Sequence, residues 1–343
     1  MESQVLRLPW ELILAIMMSY LPSNAATLIP ASDKATQLLL SFSLASRLTH
    51  EFAVGCLQRH CIFLDSDDRL RRFLLSLEAW RGSDLDLPSI FENISAMYLA
   101  PFGSVMDNLP TAAWVRDVFG YTSRTLRRLV VDMPFDSLPP WNDHLNVGPV
   151  LREGFERLVN LEEFVCTRDA VRLGISDETR ENEHSSVLYR WPKLRRLGLN
   201  RPMCNNMFWE CLANLPNLEY AVFASALALM PRSLDVGASY LGRMASPITI
   251  VLADIRVYRP APPPFLPREN TAEEGGGGRE KDGEGLQLMA YRIPMPERRN
   301  FLDSCSEWLI GMALAGELWH TKGERIATVP ELAVPVQSLL DVA

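Results

Sequence analysis

Leu194-Arg195-Arg196-Leu197-Gly198-Leu199 has the form L-x-x-φ-x-φ, with φ apolar, and the chain repeats it. The other copies are Ile94-x-x-Met97-x-Leu99, Leu126-x-x-Leu129-x-Val131, Leu161-x-x-Phe164-x-Cys166 and Leu218-x-x-Ala221-x-Phe223. Successive starts lie 126 − 94 = 32, 161 − 126 = 35, 194 − 161 = 33 and 218 − 194 = 24 residues apart, room for one helix and its turns. Helix-like stretches do fall between copies, at Val105–Gly120, Val150–Leu158 and Cys204–Asn214, while Pro134 and Pro202 argue against continuing the L-x-x-L steps as helix. Alternation at Ile248, Ile250 and Leu252 predicts one more strand of the same sheet. A strand, turn, helix, turn unit of this length predicts stacked units sharing one continuous core.

The flanks read differently. Pro9 is placed for a first helical turn, Leu12, Ile13, Ile16, Met17 and Tyr20 form a helical stripe, and Pro22 closes it. Ser23–Gln37 is turn-prone, Leu38–Leu57 is a second helical pattern, and Arg69–Trp80 a third. Arg259–Gly285, rich in Pro, Gly and charge, has too little apolar content to bury a core and reads as a disordered insert. Leu286–Ile293 is strand-like, and Glu297–Leu318 carries a core-spaced stripe. The expected organisation is therefore a helical module at 1–65, a repeat domain at 66–258, the insert at 259–285, and a strand and helix at 286–343 packing on the repeats.

Composition narrows the function. With 34 Lys+Arg against 42 Asp+Glu the net charge is −8, which offers no overall basic footprint for nucleic acid. Apolar runs such as Leu12–Met18 and Leu309–Gly316 fall far short of the roughly 20 residues of a bilayer span. Six cysteines without a secretory signal pattern suit reduced thiols in the cytoplasm or nucleus.

The search for chemistry returns little. No nucleophile elbow, zinc-protease, phosphate-loop or dinucleotide fingerprint is present. Cys56, His60 and Cys61 are a partial zinc set lacking a fourth ligand at matching spacing, so no metal and no cofactor is expected. The arginine pairs Arg127-Arg128 and Arg195-Arg196 occupy the same place in two copies of the repeat. One arginine of each pair should face outward, making these four the candidate substrate-binding residues for an acidic partner.

The most specific signal is Leu8-Pro9-Trp10-Glu11-Leu12-Ile13-Leu14-Ala15-Ile16-Met17, closed by Tyr20-Leu21-Pro22 and followed by Leu39 to Leu48 with Ser46-Arg47 near its end. It resembles an F-box over about residues 6–60. The resemblance implies a three-helix module that binds a Skp1-like adaptor and, through it, a cullin, with Leu8, Pro9, Glu11, Leu12, Ile13, Ile16, Leu21, Pro22 and Leu44 as adaptor contacts. The repeats then look like the irregular leucine-rich regions found behind F-boxes in fungal proteins. The expected fold class is accordingly an α+β or α/β repeat, a three-helix F-box-like module followed by an irregular leucine-rich-repeat-like solenoid. The expected function is a non-enzymatic, substrate-recruiting adaptor of a ubiquitin ligase. A scaffold that never joins a ligase is the alternative, and an enzyme with a dispersed site is a further one. One residue more than usual between Ile16 and Leu21-Pro22, and a long Ser23–Gln37 interval, depart from the family pattern.

Overall fold

Every copy of the six-residue form ends in a strand. The computed structural model describes residues 9–81, 94–168, 186–225, 237, 239–241, 246–255, 286–294 and 301–325. The strands are β1 (Phe63–Leu64), β2 (Ala96–Leu99), β3 (Arg128–Val131), β4 (Glu163–Cys166), β5 (Arg196–Asn200), β6 (Tyr220–Ala224), β7 (Ile248–Asp254), β8 (Leu286–Arg292) and β9 (Glu324–Arg325). They form one sheet in chain order, parallel from β1 to β8, with β9 antiparallel to β8.

The ladder runs in step. Leu129, Phe164, Leu197, Ala221 and Ile250 are register partners on one face, and Val130, Val165, Gly198, Val222 and Val251 are register partners on the other. Neighbouring N–H groups of one strand entry share a carbonyl of the preceding one: Glu162 and Glu163 donate to Arg127 O, Arg195 and Arg196 to Glu162 O, Glu219 and Tyr220 to Arg195 O. That repeated bond fixes the common register.

Helices α4 (Asp67–Arg81), α5 (Leu109–Thr122), α6 (Val147–Glu156) and α7 (Asn206–Ala213) cover the first face. Their Leu74, Val115, Phe119, Leu151, Phe155 and Trp209 join the strand residues and the leading Leu126, Leu161, Leu194 and Leu218 in one core. A parallel crossover returns its helix over the sheet, which is why these four stack in order. On the other face lies α8 (Phe301–Ala315), whose Cys305, Leu309 and Ala313, with Leu318 beyond it, pack on Val130, Val165, Val222 and Val251. Gly316, at φ +74°, ends α8 in the left-handed turn that glycine adopts without strain.

The N-terminal helices are α1 (Trp10–Ser19), α2 (Lys34–Ser43) and α3 (Arg47–His60). The single helical pattern read across Leu38–Leu57 is broken at Leu44–Ser46, because Ser46 and Thr49 form a capping box that starts α3 afresh. The segment between α1 and α2 is fastened to the body: Leu28 N–H donates to Leu314 O, Ile29 N–H to His60 O, and Asn24 Nδ2 and Thr27 Oγ1 to Ala315 O.

These observations correct the expected fold class. Among the described residues the chain forms a single sheet, parallel over eight strands and flanked by helices, an α/β-type fold, and not a three-helix F-box-like module followed by a leucine-rich-repeat-like solenoid. A solenoid leaves one strand face to solvent, whereas the central strands here are buried on both faces, as parallel sheets between helices are. The insert at 259–285 and the segment beyond 325 lie outside the described residues. Among the described residues no helix is long and apolar enough to cross a membrane.

Candidate protein-docking site

Pro9 is the N-cap residue before helix α1, one position ahead of the first helical turn that its sequence placement predicts, and Glu11 is placed favourably at the positive end of the helix dipole. The inner side of α1 is narrow. Met17 is fully buried in a small core with Leu39 of α2 and Ala53 and Cys56 of α3, and Ile13, Leu21, Phe42 and Phe52 pack around it. Its outer side keeps apolar groups in water: Leu12 is 52% exposed and Ile16, one turn on, 40%. Asp33 caps α2 through Ala35 N–H, which turns Leu39 inward and leaves Leu40 and Leu44 outside. Leu44 is 88% exposed, and Leu48 in the first turn of α3 is also exposed. His50 Nδ1 lies 2.7 Å from Ser43 O and ties the junction on which Leu44 stands.

The expected adaptor contacts therefore divide. Pro9, Glu11, Leu12, Ile16 and Leu44 are on the surface, Ile13 and Leu21 contribute to the small core, Pro22 is half-buried, and Leu8 lies outside the described residues. Leu40 and Leu48, which are not among the adaptor contacts the resemblance implies, join the exposed apolar group. A helical wheel of the split helices would have found them, but the split itself depends on the Ser46 cap.

The four arginines are engaged within the chain. Arg195 makes a two-pronged pair with Glu219, its Nη2 2.9 Å from both carboxylate oxygens. Arg127 Nη1 is 3.6 Å from Glu162. Arg128 and Arg196 point to the α8 side and share Glu163, which Trp319 also approaches through Nε1 at 2.8 Å. Arg128 is buried, donates to Ala313 O at the end of α8, and keeps Nη1 without a hydrogen-bond partner. Desolvation lowers its pKa, with Glu163 opposing that shift.

At the carboxyl ends of the strands a polar row links neighbouring loops. Arg168 Nε bonds Asp132 at 3.1 Å and its Nη1 bonds Gly103 O at 2.8 Å, while Asn200 Nδ2 donates to Arg168 O and Ser225 Oγ to Asn200 Oδ1. Burial, with Asp132 adjacent, raises the pKa of the Tyr98 phenol and keeps it neutral. Strand order never reverses among β1 to β8, so the described strands form no topological switch point. Several large apolar side chains nevertheless stay exposed along this edge: Val105, Trp141, Leu145, Met203 and Met207.

Burial also quiets the thiols. It pushes Cys211 up to about 11 and raises Cys56, Cys61 and Cys204, so all four are protonated and weakly nucleophilic at neutral pH. Among the described residues no group of three or more His, Cys, Asp or Glu side chains is placed to hold a metal ion.

Comparison with known proteins finds no matching family model, curated protein or solved structure.

Proposed function

We propose that the chain is a substrate-recruiting adaptor of a Skp1-cullin type ubiquitin ligase, its outer α1–α3 surface binding a Skp1-like protein and its α/β body recruiting the substrate protein. The observation that carries this reading is the exposure of Leu12, Ile16, Leu40, Leu44 and Leu48 on three consecutive helices whose inward residues already fill a core of their own. Apolar side chains gathered on adjoining helices mark interaction surfaces more than solvated faces do. The resemblance of Leu8–Pro22 to an F-box opening supports a Skp1-like protein as the partner.

The proposal survives the corrected fold, because adaptor binding requires an exposed helical surface and not a separable module. It assigns no bond-making step to this chain. Affinity purification from the native cell tests it: a Skp1-like protein and a cullin should co-purify stoichiometrically. Their absence from a soluble, folded preparation would refute it.

A further inference from the structure

The interval between α1 and α2 departs from the F-box pattern by its length, and its first half is tied down bond by bond. Asn24 Oδ1 accepts Ala26 N–H at 2.9 Å and Asn24 O accepts Thr27 N–H at 3.1 Å, a turn the asparagine builds for itself. The same side chain donates through Nδ2 to Ala315 O at 3.1 Å, and Thr27 Oγ1 donates to that carbonyl at 3.1 Å. Leu28 N–H donates to Leu314 O at 2.8 Å, and the Leu28 side chain is buried in the core that α8 forms with the second face of the sheet. One residue farther on the attachment changes sides. Ile29 N–H donates to His60 O at 2.7 Å, His60 Nδ1 lies 3.0 Å from Thr27 O, and Thr36 Oγ1 of α2 donates to Pro30 O at 2.9 Å.

Helix termini explain the first attachment. The last turn of an α-helix leaves its carbonyls without intrahelical donors, and at the end of α8 those of Leu314 and Ala315 are taken by the N-terminal segment. Gly316 lets that segment come close: a Cβ there would meet Asn24 Nδ2 at 2.7 Å and Ala26 Cβ at 2.9 Å.

The helices attached in this way have a core of their own. The cluster around Met17 draws on α1–α3 and on Leu21 and Cys61 just beyond them, and takes no side chain from a strand or from α8. The chain crosses from this core to the sheet at Cys61-Ile62, where α3 runs into β1. A crossing of so few residues is a hinge unless something spans it, because residues at the end of an element absorb a reorientation of the parts they join.

We propose that residues 24–30 are a latch across this hinge. By joining the end of α8 to the end of α3 they hold α1–α3 in one orientation against the sheet, and their release frees the helices to turn about Cys61-Ile62 while both cores stay folded. Asn24 and Thr27 are the polar contacts of the latch, and Leu28 is its apolar anchor. The inference goes beyond the adaptor reading and does not depend on it: for any protein docked on the outer surface of α1–α3, the latch sets the direction in which the α/β body is presented.

The test uses the full chain alone. Ketone-bearing residues at two exposed positions, Ser41 in α2 and Arg124 after α5, accept spin labels without touching the six cysteines, and pulsed dipolar spectroscopy reads the distance between them. Wild-type protein should give one narrow distance. Asn24→Ala/Thr27→Val, which removes both side-chain donors to Ala315 O, should broaden it or add a second distance. The Leu28 and Ile29 amides should then exchange at least about tenfold faster, while those of α3, β4 and β5 exchange as in wild type. Gly316→Ala, which pushes on the latch from the α8 side, should act in the same direction. A broad wild-type distribution, an unchanged distribution in both variants, or unaccelerated exchange at Leu28 and Ile29 would each overturn the latch. So would faster exchange throughout α3 or unfolding of both variants, since the segment would then belong to one indivisible core. No adaptor enters the experiment, so its outcome is separate from the co-purification that decides the ligase reading.

Discussion

Arg128 on β3 and Glu163 on β4 are register partners, and Arg128 Nε lies 3.3 Å from Glu163 Oε2 beneath the end of α8. Glu163 also bonds Arg196 Nη1 at 2.6 Å on the next strand, so one carboxylate answers two guanidinium groups. Glu163→Gln keeps the shape and strands the buried Arg128 charge. The expected cost is about 3–5 kcal/mol, read from urea unfolding, because a buried ion left without its partner keeps its full desolvation penalty. A loss below about 1 kcal/mol, the range of an exposed pair, would mean that water screens this cluster.

Gly198 measures how closely α8 and the turn after it cover the second face. A Cβ there would meet Val165 Cγ1 at 3.0 Å and Leu318 Cδ2 at 3.1 Å, whereas a Cβ at Gly55 in α3 meets nothing within 4 Å. Gly198→Val should therefore lose about 1–3 kcal/mol by overpacking. Gly55→Ala should gain about 0.5–1 kcal/mol from helix propensity. Chemical denaturation of both variants checks the contrast, and a neutral Gly198→Val would mean that the second face is loosely covered.

Alkaline stability follows from the buried thiol of Cys211. Its folded pKa is raised from 9.0 to about 11, so the folded protein holds the proton after the unfolded chain has released it. The unfolded state then binds fewer protons, and stability falls as pH rises from about 9 to about 11, having been fully present below that window. Cys211→Val should lessen this fall in a series of urea titrations across the window, the remainder coming from the other buried thiols whose pKa is raised. An unchanged slope would assign the alkaline loss to other groups.

The strands were legible in the sequence because each φ-x-φ step carries its own alternation. The residue between the two φ positions also held a signal that the repeat reading passed over. It is Tyr98, Val130, Val165, Gly198 and Val222 in successive copies, small or apolar in four of five, which is the mark of strands buried on both faces. That signal distinguishes the observed helix-flanked sheet from a solenoid with an open face. The arginine pairing was hidden for a different reason: Arg128 and Glu163, or Arg195 and Glu219, meet only once strand register is known. At the N-terminus the i, i+4 spacing sets Leu12 and Ile16 on one line of the helical stripe and Ile13 and Met17 on the adjacent one, but the Ser46 cap that exposes Leu44 and Leu48 acts through a four-residue box, Ser46 to Thr49, invisible to apolar periodicity. Trp141 could not be read at all, since exposure of one aromatic residue depends on how the prolines before it aim the loop.

The central claim is tested most directly by two readouts on the same proteins: binding of a purified Skp1-like adaptor, and the unfolding midpoint of the chain alone. Leu12→Asp and Leu44→Asp place a charge on the exposed side of α1 and at the end of α2, while Met17→Ala, a core lesion expected to cost about 2–5 kcal/mol, serves as the reference. The account predicts that both aspartate variants keep a near wild-type midpoint and lose adaptor binding, because an unpaired carboxylate in a desolvated interface costs several kcal/mol. Adaptor binding retained by folded Leu12→Asp and Leu44→Asp proteins, or a fall in their midpoints matching that of Met17→Ala, would contradict it.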